Sequence, residues 1–172
     1  MSDIIINRVW AMPNKNTFSI KPIKELINRW LPDSGVILDP FANNNKLATI
    51  TNDIDTQYDT DYHLDAIIFI KSFESDSIDA ILYDPPYSPR QVSESYKKMG
   101  MSVNLQTTQS SFWGNLKKEI ARIVMPDGIV ISFAWNSNGI GKTKGFKIEE
   151  ILLVAHGGNH NDTICVVEKK IK

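Results

Sequence analysis

Ile78-Asp79-Ala80-Ile81-Leu82-Tyr83-Asp84-Pro85-Pro86-Tyr87 decides how the rest of the chain is read. Ile78 to Tyr83 is short and mostly apolar, the pattern of a strand covered on both faces. It stops at Asp84-Pro85-Pro86-Tyr87. A residue before proline is pushed into extended backbone. Both Asp84 and Pro85 precede one, so the chain leaves the strand stiff, and the prolines carry no N–H. The product is a rigid shelf with one carboxylate, free carbonyls and one aromatic ring. Asp84 and the Pro85 carbonyl can accept both hydrogens of an exocyclic amino group on a flat ring, while Tyr87 stacks on that ring. A strand ending in a proline-rich turn, with Tyr87 as a lid on the core, has the same letters. The flanking segments separate the two.

Residues 1–18 read as irregular. Ser19 to Leu31 has helical spacing, with Ile20, Ile23, Ile27, Trp30 and Leu31 on one face and Pro22 in the first turn. Pro32-Asp33-Ser34-Gly35 ends it. Val36 to Asp39 is a buried strand, and Thr49 to Asp53 a second. Only Pro40 to Ala48 separates them, the short limit for a crossover. A helix there has a turn or two, or the second strand starts later. Leu64 to Phe73 reads as a short helix, and 88–110 as polar and loop-rich. Phe112, Leu116, Ile120 and Ile123 make a helix that ends at Pro126-Asp127-Gly128. Strands are expected over Gly128 to Trp135, Phe146 to Val154 and Asp162 to Glu168, the last two around Gly157-Gly158-Asn159. Alternating helices and strands imply an α/β fold with a mostly parallel, doubly wound sheet. The short last turn requires an antiparallel C-terminal hairpin. Asp39, Asp53 and Asp84 all fall at strand carboxyl ends, where such sheets bind ligands.

With 172 residues the chain is read as one domain, 1–172. A net charge of -1 supplies no global basic field, so nucleic acid would need a local patch. The single cysteine, Cys165, sits in an apolar run and reads as a small core residue. One cysteine allows no internal disulfide, which fits a reducing cytoplasm. No secretory leader and no membrane-length apolar run is seen. His156 and His160 flank a hairpin turn without further ligands, so no metal is expected.

Val36-Ile37-Leu38-Asp39-Pro40-Phe41-Ala42-Asn43-Asn44-Asn45 is a strand followed by a tight polar loop. Together with Asp84-Pro85-Pro86-Tyr87 it resembles the S-adenosylmethionine-dependent DNA amino-methyltransferases, which carry an Asp-Pro-Phe-Ala-Gly type motif and an Asp-Pro-Pro-Tyr motif. Asn14 to Ile23 looks like the motif that closes over the methionine end of the cofactor. Asn52-Asp53-Ile54-Asp55 looks like the acidic end of the second strand, and Asp65-Ala66 like the motif that reaches the adenine. Trp135 to Gly139 and Gly157 to Asp162 are similar to segments of small enzymes of this kind from phages and mobile elements. The resemblance implies a Rossmann-like class I methyltransferase fold and S-adenosylmethionine as cofactor. It implies cofactor contacts at Thr17, Phe18, Ser19, Asp39, Pro40, Phe41, Ala42, Asn43, Asp53, Asp65 and Ala66. Asp39 would face the ammonium, Asp53 or Asp55 the ribose hydroxyls, Asp65 the adenine amino group. The Asn43-Asn44-Asn45 loop departs from the Gly and Ser of the wider family, although Asn tolerates left-handed backbone.

The same resemblance implies Asp84, Pro85, Pro86 and Tyr87 as the catalytic shelf and adenine N6 in DNA as target. The N6 lone pair is delocalised into the ring. Hydrogen bonds to Asp84 and the Pro85 carbonyl favour the pyramidal nitrogen of the transition state, and the site aligns nitrogen, methyl and sulfur. The base must leave the duplex at a cost of a few kcal/mol; stacking on Tyr87 returns roughly 1–3 kcal/mol. Phe18, Phe41 and Trp135 are candidates for the other side. Arg90, Lys97, Lys98, Lys142 and Lys144 are the candidate phosphate contacts. An RNA base methyltransferase and a non-catalytic binding subunit of a methyltransferase pair are the rival expectations. Only 88–110 is free for target recognition. Recognition is therefore short and relaxed, or a homodimer or partner protein supplies it.

Overall fold

The computed structural model describes residues 3–100 and 110–171. Its elements run β1 (Ile5–Trp10), α1 (Lys21–Trp30), β2 (Ile37–Asp39), β3 (Ile50–Thr51), α2 (Ala66–Lys71), β4 (Ile78–Tyr83), α3 (Pro89–Lys98), α4 (Ser110–Ile123), β5 (Val124–Ala134), β6 (Phe146–Ala155) and β7 (Thr163–Lys170). The strands form one seven-stranded sheet in the order β1-β6-β7-β5-β4-β2-β3. β7 is antiparallel to both β5 and β6, and the other pairs are parallel. This is the mostly parallel α/β sheet with a C-terminal antiparallel hairpin that the sequence pattern implies.

Each face of the sheet has its own core. On one side α1 inserts Ile23, Leu26 and Ile27, all fully buried, and Phe18 packs on Phe133 with ring centroids 4.8 Å apart. On the other side α2 contributes Phe69 and Ile70, and α4 contributes Leu116, Ile120 and Ile123. Arg29 and Trp30 both donate to the buried Glu150 carboxylate, each at 2.7 Å, which fastens α1 to β6. No helix among the described residues is long and apolar enough to cross a membrane.

Four details differ from the sequence expectation. Residues 1–18, read as irregular, contain β1, which pairs with β6 from Ile5↔Glu150 to Trp10↔Ala155. It is an edge strand, exposed along most of its length with Ile5, Ile6 and Trp10 in the open, so burial imprints no alternation on it. The segment 88–110 opens with a helix, α3. Its only buried side chains are Val92 and Tyr96, four apart, too few to stand out in a polar run. Ser88 caps it, accepting from Gln91 N, and Pro89 fills its first turn. Residues 101–109 of that segment lie outside the described residues. β5 begins at Val124, so Pro126-Asp127-Gly128 is a kink within a strand. Asp127 has φ 66°, and a Cβ on Gly128 would stand 2.8 Å from the Met125 carbonyl. Finally, no helix lies between β2 and β3. The loop turns at Asn43 (φ 49°), and a single bridge, Asn52↔Tyr62, extends the sheet beyond β3.

β2 lies between β3 and β4. The chain therefore steps to one side after β2 and returns past it to β4. The carboxyl ends of β2 and β4, bearing Asp39 and Asp84, frame this switch point.

Candidate active site

Asp84-Pro85-Pro86-Tyr87 leaves β4 and is held at several points. Trp113 of α4 donates from Nε1 to the Pro86 carbonyl at 2.9 Å, and Tyr87 N donates to Gln91 Oε1 at 2.6 Å. The Tyr87 hydroxyl donates to Asp84 Oδ1. Its ring lies edge-on to Trp135, centroids 5.3 Å apart. The shelf divides two cavities of about 400 and 270 Å3. Pro85, Pro86 and Tyr87 line both; Asp84 lines the larger.

The larger cavity sits over the switch point. Thr17, Pro40, Phe41, Asn43, Asp53, Asp55, Leu64 and Ala66 form one wall, and Gln91, Val92, Ser95, Tyr96 and Lys98 of α3 the other. Its acids are individually positioned. Asp39 is fully buried beneath it; Oδ1 accepts from Phe41 N at 3.1 Å, and Oδ2 has no partner among the described residues. Asp53 accepts from Asn43 N and Asp55 N, both at 2.9 Å. Asp65 caps α2 by accepting from Ile67 N at 3.0 Å, and its other oxygen takes the Tyr96 hydroxyl. Asp55 holds Lys98 Nζ at 2.6 Å.

These acids are uneasy neighbours. Burial, then the charges of Asp84 and Asp53, hold the Asp39 carboxyl well above the usual carboxylate range. Burial likewise raises Asp53. Burial pushes Asp84 up to about 6, against the lowering pull of hydrogen bonds from Tyr87 and Thr17. Asp55 goes the other way, lowered by Lys98. The inner wall thus sets Asp39 within electrostatic reach of Asp84 and Asp53, while the nearest cationic partners, His63 and Lys98, lie on the Asp53–Asp55 side. A cationic ligand relieves that arrangement.

Of the residues expected around the cofactor, Thr17, Pro40, Phe41, Asn43, Asp53 and Ala66 line this cavity. Asp39 lies beneath it and Asp65 caps the adjoining helix. Phe18 is in the core, Ser19 donates to the Asn16 carbonyl at 2.7 Å, and Ala42 is fully buried, its N–H on the Asn52 carbonyl. None of these three lines the cavity. Of the expected phosphate contacts, Arg90 pairs with Glu94 at 2.8 Å and Lys98 with Asp55, whereas Lys97 and Lys142 are exposed. Lys144 belongs to a short turn, Lys142–Lys144, before β6. His156 is bonded on both ring nitrogens, to the Ala11 carbonyl and the Thr163 hydroxyl, each at 2.9 Å.

The sequence reading missed Trp113, the Tyr96–Asp65 contact and the whole second cavity. That cavity is lined by Tyr83, Ser132, Trp113, Lys117 and Trp135 among others. Its one advance signal was a polar head on two otherwise apolar strands, at Tyr83 and Ser132.

Neither a family model nor a curated protein matches the chain. Solved structures do. A 1,6-didemethyltoxoflavin-N1-methyltransferase of Burkholderia thailandensis, solved with 1,6-didemethyltoxoflavin and S-adenosylhomocysteine, superposes with TM-score 0.60 at 10% identity, over 92% of this chain and 80% of that one. A SAM-dependent methyltransferase of Archaeoglobus fulgidus gives 0.59 at 11% identity, over 87% and 94%. TrmN of Thermus thermophilus gives 0.54 at 16% identity; the match covers 88% of this chain but only 49% of that one. At such identities the likeness speaks for architecture alone, and the architecture of this chain is the Rossmann-like α/β fold of the S-adenosylmethionine-dependent methyltransferases.

Proposed function

We propose that the chain transfers a methyl group from S-adenosylmethionine to the exocyclic amino group of a nucleobase, adenine N6 in DNA. The observation that carries this is the position of Asp84-Pro85-Pro86-Tyr87 as the partition between two cavities, one acidic and one aromatic. A methyl donor and a flat amine, one on each side, would meet at the shelf.

The larger cavity fits the donor. Asp39 offers a buried carboxylate oxygen with no partner among the described residues, within electrostatic reach of Asp53 and Asp84. An ammonium is the natural complement. Asp53, fixed by two backbone amides, would take ribose hydroxyls, as acids at the end of a second strand do in dinucleotide folds. Asp65 and the apolar Leu64, Ala66 and Phe112 would bound the adenine. Bound there, S-adenosylmethionine supplies an electrophilic methyl group on a sulfonium.

On the target side, Asp84 and the Pro85 carbonyl accept from the amino nitrogen, which localises its lone pair. Asp84 must be ionised to do so. In the unliganded chain one of its oxygens holds the Tyr87 hydroxyl, and the amino group takes over that position. Tyr87, held edge-on by Trp135, would stack on the ring. Both Asp84 and Tyr87 are present and face a cavity, which favours a catalytic chain over a binding subunit.

Incubation with labelled S-adenosylmethionine and parallel single-stranded DNA, duplex DNA and RNA, followed by nucleoside analysis, tests the proposal. N6-methyldeoxyadenosine is the expected product. Label appearing only in RNA would move the assignment to RNA bases. Label in neither, from a chain that binds the cofactor, would overturn it.

A further inference from the structure

The second cavity has a chemistry of its own. Tyr83 and Ser132 are paired residues on β4 and β5, and both side chains line it. Each is nearly fully buried, and neither hydroxyl has a hydrogen-bond partner among the described residues. Native structures rarely leave buried polar groups unpaired, and the exceptions call for a reason such as a ligand that completes them. Lys117 of α4 lines the same cavity, half-buried, with Glu168 and Lys144 as its charged neighbours; burial lowers its ammonium pKa. No carboxylate lines the cavity. Two acceptors on its wall are already occupied: the Pro86 carbonyl by Trp113, and Asn136 Oδ1 by Asn138 N at 3.0 Å. The first cavity is acidic; this one is rich in donors.

We propose that this recess holds the target ring, that it selects a ring edge made of hydrogen-bond acceptors, and that the Tyr83 and Ser132 hydroxyls are its specificity-determining groups. The proposal rests on the amino-methyltransferase reading above and narrows its substrate class. Apart from the amino group, the polar ring atoms of adenine are nitrogens that accept and do not donate. Cytosine also presents acceptors beside its amino group. Guanine is disfavoured chiefly because its carbonyl would meet Asp84 where adenine presents an amino group; Lys117 cannot accept from its N–H groups, although the two hydroxyls can. Tyr83 and Ser132 donate to the ring nitrogens, while the amino group reaches across the shelf to the Pro85 carbonyl, shared by both cavities, and to Asp84 on the side of the larger one. The ring is thereby read on two edges.

Short single-stranded oligonucleotides carrying one adenine, or its 1-deaza, 3-deaza or 7-deaza analogue, test this. Each analogue replaces one ring nitrogen by C–H. Binding is followed by tryptophan fluorescence with S-adenosylhomocysteine saturating, and methyl transfer by single turnover. Wild type should bind at least one analogue about tenfold more weakly than adenine, the scale of one lost hydrogen bond. The double variant Tyr83→Phe/Ser132→Ala should bind adenine about tenfold more weakly than wild type and no longer distinguish that analogue. Its unliganded Tm should hold or rise, because the deleted hydroxyls had no partner; a purely structural pair would lower it. A double variant with wild-type affinity and the same analogue penalty would overturn the proposal. So would a wild type indifferent to all three analogues, or one that binds no oligonucleotide. If wild type discriminates the analogues in binding but transfers no methyl group, the recess stands and the methyltransferase reading falls.

Discussion

In the proposed mechanism Asp84 must give up its proton to work, and its surroundings resist that. Burial pushes its pKa up to about 6, while the Tyr87 and Thr17 hydrogen bonds pull it down. The ionised form is the stronger acceptor for the amino group that takes over the position of the Tyr87 hydroxyl. Turnover should therefore climb with pH through about 6 and then level off. Asp84→Asn should lower the plateau by about a hundredfold or more, the scale of a lost preorganised contact, and abolish the titration, with cofactor affinity nearly unchanged. Tyr87→Phe removes a bond that favours the ionised carboxylate. Its pH–rate midpoint should move upward, while most of the plateau rate survives because the ring still stacks. Rate profiles of the three proteins, with calorimetry for cofactor affinity, check both expectations. At this scale the shelf and the acids at strand ends were legible, because rigid prolines and charged letters stand out in apolar runs. Tyr83, Ser132 and Trp113 were not, because each reads as ordinary core until its hydroxyl or N–H is placed.

Among the elements, α3 departs furthest from its expectation. It closes one wall of the larger cavity with Gln91, Val92, Ser95, Tyr96 and Lys98. Two contacts latch it to the opposite wall: the Tyr96 hydroxyl on Asp65, and Lys98 on Asp55 at 2.6 Å. Releasing both with Tyr96→Phe/Lys98→Met should speed cofactor dissociation several-fold and quicken hydrogen exchange in 89–98. Global stability should fall by no more than about 1–3 kcal/mol, the sum of one half-exposed ion pair and one hydrogen bond. Stopped-flow release and exchange mass spectrometry measure this. Unchanged dissociation would show that α3 is a passive wall. The helix was hidden because only Val92 and Tyr96 of its residues are buried. β1 was hidden for the opposite reason: an exposed edge carries no inside–outside alternation. α1, α2, α4 and β4 to β7 were legible wherever one face packs against a core.

For the whole molecule, the buried acids link stability to pH. Asp39, Asp53 and Asp84 all have raised pKa values, so folding favours their protonated forms. The stability they contribute is largest at low pH and is lost as pH rises above about 4, through about 6 for Asp84. Asp55 and Asp61 are lowered and act in the opposite sense, their contribution being lost as pH falls below about 4. The unliganded protein should therefore melt higher at pH 5 than at pH 7. Asp39→Asn should raise the Tm at pH 7 and weaken cofactor binding at least tenfold, because it removes a buried charge and its proposed counterpart together. A cationic ligand needs the carboxylates ionised, so its stabilisation, about 2.7 kcal/mol at a hundredfold excess over Kd, should be larger at pH 7 than at pH 5. Thermal melts with and without S-adenosylmethionine decide this; equal shifts at both pH values would remove the carboxylate cluster from the binding account. The fold class was legible at this scale because strand alternation and one short hairpin constrain topology strongly. The two-cavity arrangement was not, because it depends on where α3 and α4 settle against the shelf.

β7 lies between β5 and β6, and β6 in turn carries β1. Ile5 finds its partner only at Glu150, and β6 is tied to the rest of the sheet only through residues 163–170. During synthesis β2 to β5 can pair as they emerge, whereas β1 waits for β6, and the β1–β6 pair reaches the rest of the sheet only through β7. Until β7 emerges, the edges of β5 and β6 that it covers stand open, the stage at which the nascent chain most needs shelter from its neighbours.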